Sequence, residues 1–133
     1  ATYGHIGTWD TSEVTSMADL FYTICSTKAT FNEDLSAWDV SKSTTFYQML
    51  RQASAFNQDL SSWNVSIGTN FSSMFNLASA FDQDLSSWDV SMGTDFSSMF
   101  ASTAMDKVLC WDVTGATATS MFSNSPGSAD PSA

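Results

Sequence analysis

The residues best equipped for chemistry recur in rows. Asp34, Asp59 and Asp84 share one position of a repeated segment, and Asp39, Asn64 and Asp89 share another. Stacked repeats would hold such carboxylates about 5 Å apart, where they repel unless they bond locally or share a cation. An Asp ahead of a turn normally accepts from backbone N–H groups. No D-x-D-x-D-G calcium loop is present, so turn bonding is favoured over calcium. Trp38, Trp63 and Trp88 form another row. Exposed stacked indoles would suit sugar rings, but large apolar residues at a fixed phase are usually core, and core is the expectation. Asn32 and Asn57, with Asp82 in the same place, are positioned for a side-chain ladder between neighbouring loops, a structural role. The single histidine, His5, and the two cysteines, Cys25 and Cys110, have no partners at an informative spacing. No phosphate loop, metal cluster or nucleophile elbow is visible, and nothing singles out two of the fourteen acids for glycoside hydrolysis. The sequence predicts no enzyme, no cofactor and no metal.

These rows arise from a repeat. Residues 31–41, Phe-Asn-Glu-Asp-Leu-Ser-Ala-Trp-Asp-Val-Ser, return at 56–66 and 81–91, a period of 25 residues. A fixed period in the twenties points to a stacked array whose units bury their apolar faces against one another. Aligning on Trp9, Trp38, Trp63, Trp88 and Trp111 gives five rungs with intervals of 29, 25, 25 and 23 residues. Residues 1–8 form a lead-in, 9–122 the repeats and 123–133 a Ser/Pro-rich tail. Leu60, Trp63 and Val65 read as a short half-buried strand. Phe71, Met74, Phe75 and Ala78 fall at i, i+3, i+4 and i+7, the spacing of one helix face. Thr69 is placed to cap that helix, and Thr15, Thr44, Thr94 and Thr117 hold the matching position. The predicted fold is an α/β, leucine-rich-repeat-type solenoid of about five rungs. Parallel strands about 4.8 Å apart and helices needing about 8–10 Å would bend it, strands inward.

Composition narrows the setting. A formal charge of −10, with only Lys28, Lys42, Arg51 and Lys107 basic, argues against nucleic acid and anionic membranes. No apolar run reaches the roughly 18 residues of a membrane span. Ser and Thr supply 39 of 133 residues, which with few charges favours a place outside the cell. The start at Ala1 fits a secreted chain whose leader was removed, and equally a segment cut from a longer one. Two sequons, Asn64-Val65-Ser66 and Asn70-Phe71-Ser72, are N-glycosylation candidates, and the tail suits O-glycans. Three stacking steps, roughly 15 Å, separate the rungs of Cys25 and Cys110, against about 7 Å for a disulfide. That leaves free thiols or an intersubunit Cys25–Cys110 bridge.

The stretch Phe-Asn-Gln-Asp-Leu-Ser-Ser-Trp-Asn-Val-Ser, followed by Thr-Asn-Phe-Ser-Ser-Met-Phe, resembles the BspA-like leucine-rich-repeat surface proteins, in the branch catalogued as a mycoplasma-type domain of unknown function. Trp9-Asp10-Thr11-Ser12-Glu13-Val14-Thr15-Ser16-Met17 fits the second half of that pattern closely. The middle rungs depart from it, with Gly68 and Gly93 in place of Val and Phe46, Phe71 and Phe96 in place of Met. The resemblance implies an extracellular or cell-surface protein with a role in adhesion or surface structure, and it supplies no catalytic residue. The reading is therefore a non-enzymatic structural or adhesion module, glycosylated and self-associating head to tail into fibres. The alternative is a module that binds glycans or surface proteins on its concave face.

Overall fold

The computed structural model describes residues 3–22 and 27–133. Its organising feature is a backbone ladder between repeats. In one unit the N–H groups of Phe46, Gln48, Leu50 and Gln52 donate to the carbonyls of Asn70, Ser72, Met74 and Asn76 at 2.8–3.1 Å. Phe71, Ser73, Phe75 and Leu77 donate in turn to Asp95, Ser97, Met99 and Ala101 at 2.8–2.9 Å. The same step links Met17, Asp19 and Phe21 to Thr45, Tyr47 and Met49, and Phe96, Ser98, Phe100 and Ser102 to the last unit. Isolated parallel bridges join Ser16, Thr45, Asn70, Asp95 and Thr117 in one line through the stack.

This overturns the strand-and-helix solenoid. Among the described residues the regular elements are two three-residue 3₁₀ turns, Ile6–Thr8 and Lys28–Thr30, and two two-residue strands, β1 (Val108–Leu109) and β2 (Ser128–Ala129), paired in parallel. The rest is turns and loops, and no leucine-rich-repeat architecture is formed. The expected helix at 71–78 is two successive four-residue turns, closed by Met74 N–H to Phe71 and Ala78 N–H to Phe75. Each turn carries its positive φ at the third residue, Ser73 at 56° and Leu77 at 63°. The first and fourth residues of each turn face inward, so Phe71, Met74, Phe75 and Ala78 are all fully buried. Two abutting turns therefore give the same i, i+3, i+4, i+7 signature as a helix. The backbone cannot be helical, because alternate N–H groups reach sideways to the next repeat instead of back along the chain. Thr69 consequently caps no helix, and its hydroxyl donates to the Thr44 carbonyl of the preceding unit at 3.1 Å.

Spacing follows from the ladder. Phe46, Phe71 and Phe96 stack at 5.3 and 5.4 Å between centroids, and Trp63, Trp88 and Trp111 on the other side at 6.3 and 6.2 Å. The nearly twofold difference expected to bend the stack is absent. Phe31, Phe56 and Phe81 form a third column at 5.8 and 6.1 Å. All are offset stacks within the favourable range for aromatic pairs.

The departures from the family pattern are compensated inside the chain. A Cβ at Gly68 would lie 2.5 Å from Cζ of Phe71, and one at Gly93 would lie 2.2 Å from Cζ of Phe96. The first unit instead pairs Val14 with Met17, three residues on. A large aromatic thus demands a small neighbour at the turn before it. Gly68→Val should destabilise by about 1–3 kcal/mol through overpacking. Adding Phe71→Met should recover much of the loss, a coupling on the order of 1 kcal/mol in urea unfolding. Strictly additive losses would contradict this pairing.

Candidate functional site

The row of indoles is closed to ligands. Trp38, Trp63 and Trp88 are each 4% exposed. Each indole N–H donates to a carbonyl of the preceding unit: Trp38 to Ile6, Trp63 to Leu35, Trp88 to Leu60, and Trp111 to Leu85. Four of the five tryptophans thus tie unit to unit, and no sugar-stacking face is available on them. Trp9, at the open end, is 45% exposed and donates to Tyr3.

The carboxylate rows are occupied locally. Asp59 accepts from the Ser61 backbone N–H at 2.8 Å, and Asp39 accepts from the Ser41 hydroxyl and N–H. Asp34, Asp84 and Asp89 bond the residue two ahead in the same way. The N–H of Ser61 holds the Asp59 carboxyl below its usual range, and the Ser41 hydroxyl does the same for Asp39. Asp59, Ser61, Gln83, Asp84 and Ser87 line an open acidic hollow of about 340 Å³. No group of three potential metal ligands occurs among the described residues.

The Asn32 carboxamide oxygen accepts from the backbone N–H of Asn57 at 2.9 Å and from the Gln58 side chain at 3.0 Å. Asn57 bonds Asp82 and Gln83 identically. Asp82 continues the line to the Asp106 N–H and the Lys107 ammonium. Both sequon asparagines accept from the serine two residues on, Asn64 from Ser66 and Asn70 from Ser72. Asn64 is exposed, whereas Asn70 is half-buried in the ladder. Cys110 is exposed and, among the described residues, forms no disulfide, its Sγ lying 3.4 Å from the Ala133 carbonyl. Cys25 lies outside the described residues, and so does any bridge to it. His5 caps the first 3₁₀ turn and meets Glu33 at 2.8 Å on the surface.

Open ends are expected of an uncapped stack, and the structure places their edges residue by residue. At the first unit, Ile6, Val14, Met17, Leu20, Phe21 and Trp38 line an apolar hollow of about 290 Å³ open to solvent. The carbonyls of Ser16, Ala18 and Leu20 accept from no described residue. At the last unit, the N–H groups of Ala118, Ser120, Phe122 and Asn124 donate to no described residue. A helix reading hides both edges, because it satisfies these groups within the segment. The signal available in sequence was the misfit between helix and strand spacing.

The profile of the family described as Mycoplasma protein of unknown function, DUF285, matches residues 1–109. The chain belongs to this family. The match takes in the units of Trp9, Trp38, Trp63 and Trp88 and stops short of Trp111. No curated protein and no solved structure matches the chain. The DUF285 description names no activity, so the functional reading rests on the site itself.

The lowered Asp values fix a pH dependence. A folded-state value below the free one of about 3.9 gives stability that is present above it and lost as pH falls through the folded value. The urea midpoint should therefore drop between about pH 5 and pH 3. The double variant Asp39→Asn, Asp89→Asn keeps the acceptor, as Asn64 does, and should flatten that drop. A midpoint that rises on acidification would show that relief of the net negative charge outweighs these bonds.

Proposed function

We propose that the chain is a non-enzymatic structural or adhesion module placed outside the cell, of the BspA-like surface-protein kind. One observation carries the reading. The side chains that recur with the repeat, Trp, Asn and Asp, are committed to holding units together or bracing their turns. What they leave is a long polar, acidic flank rich in serine and threonine, and two ends that invite more of the same repeat. Such a stack presents a regular surface whose length is set by the number of units joined. Asn64, exposed on that flank, is the favoured glycan position, with Asn70 the second.

Intact source cells treated with a membrane-impermeant biotin reagent test the placement. The account expects the chain to be labelled before lysis, and beads coated with it to adhere to those cells. Labelling only after lysis, with no bead adhesion, would contradict it.

A further inference from the structure

The edges at the two ends, unpaired among the described residues, are complementary. Inside the stack the rule is constant. The N–H of Phe46 goes to Asn70, that of Phe71 to Asp95, and that of Phe96 to Thr117. Ala118 is the next donor in that line, and Ser16 stands at the start of the acceptor line through Thr45, Asn70, Asp95 and Thr117. Translating the chain onto its own end places Ala118 N–H at Ser16 C=O, Ser120 at Ala18 and Phe122 at Leu20. The side chains continue too. Phe75 stacks on Phe100 at 5.6 Å and Phe100 on Phe122 at 5.2 Å. The next ring in that column would be Phe21 of the second copy, in the wall of the open apolar hollow.

One segment stands in the way. β2 lies on β1 with Ala129 opposite Leu109, and the Asp130 N–H takes the Leu109 carbonyl at 2.8 Å. Ile6, Leu35, Leu60 and Leu85 each give their carbonyl to the indole of the next unit. Leu109 is next in that series, and its partner would be Trp9 of a second copy, the exposed tryptophan. Residues 127–133 therefore sit where the first turn of a second copy would lie.

We propose that the edge formed by residues 118–124 is a docking surface for a second copy of this chain. The second copy seats residues 16–20 there in the internal register and displaces residues 127–133. This rests on the reading of the chain as a self-associating module. It adds the polarity and register of the joint, and a reason why the joint is closed until the tail leaves.

Sedimentation velocity from low-micromolar to near-millimolar concentration tests it on the 133-residue chain and on a form ending at Pro126. Gly127→Val in the 133-residue chain serves as a second way to free residues 127–133, since a Cβ there would meet the Lys107 and Met105 carbonyls at 2.9 and 3.0 Å. The intact chain should stay mostly monomeric, and both tail-freed forms should assemble into a concentration-dependent series. In the tail-freed background, Phe122→Asp and Leu20→Lys should each stop assembly. Mixed together, they should give a dimer and nothing larger, which also shows that each variant is folded. Association that ignores both substitutions would overturn this joint and leave self-association standing. Monomers in every form would overturn both.

Discussion

The structure depends on where every second backbone N–H of residues 46–52, 71–77 and 96–102 goes. Each is given to the neighbouring unit. A hydrogen-bonded ladder between neighbouring units fixes their separation near 5 Å, and most other features are consequences. Rings in successive units can only stack in offset columns. Side chains near the ladder must be small or identical in place, which is why Gly68 accompanies Phe71. Polar groups between units must satisfy one another, which the indole–carbonyl and Asn32–Asn57 links do. Edges at the two ends are left with donors at one and acceptors at the other.

The ladder also carries strain. Gln48, Gln52, Ser73, Leu77, Ser98 and Ser102 all adopt φ between 54° and 64°. For residues with a Cβ this region costs roughly 1–2 kcal/mol each. A helix over the same residues would avoid that cost and keep its N–H groups bonded. It would also force neighbouring units about 8–10 Å apart and break the columns of Phe46, Phe71 and Phe96. Stacked aromatic pairs contribute about 0.5–1.5 kcal/mol each beyond the area they bury. Four aromatic columns recurring through the stack, together with the ladder bonds, outweigh two strained turns per unit.

Much of the core was legible in the sequence and the backbone was not. The spacing of Phe71, Met74, Phe75 and Ala78 marks one apolar face, and all four are buried, but the helix that the spacing implies does not form. Period alone cannot separate a helix from paired turns whose first and fourth residues face in. The Trp63 and Val65 alternation suggested the strand, yet the parallel bridges run through Thr45, Asn70 and Asp95. Asn70 was hidden by its place beside a supposed helix cap. The Asp positions were read as turn acceptors because that bond is local, reaching Ser61 from Asp59. An uncapped stack must leave open ends, but which N–H and C=O groups each end presents follows only from the direction of the ladder bonds.

The claim that the ladder replaces a helix is tested most directly by NMR couplings across hydrogen bonds. Magnetisation should pass from the amide nitrogens of Phe71, Ser73, Phe75 and Leu77 to the carbonyl carbons of Asp95, Ser97, Met99 and Ala101. Couplings from Phe75 to Phe71 and from Ala78 to Met74, four residues back along the chain, would contradict the account.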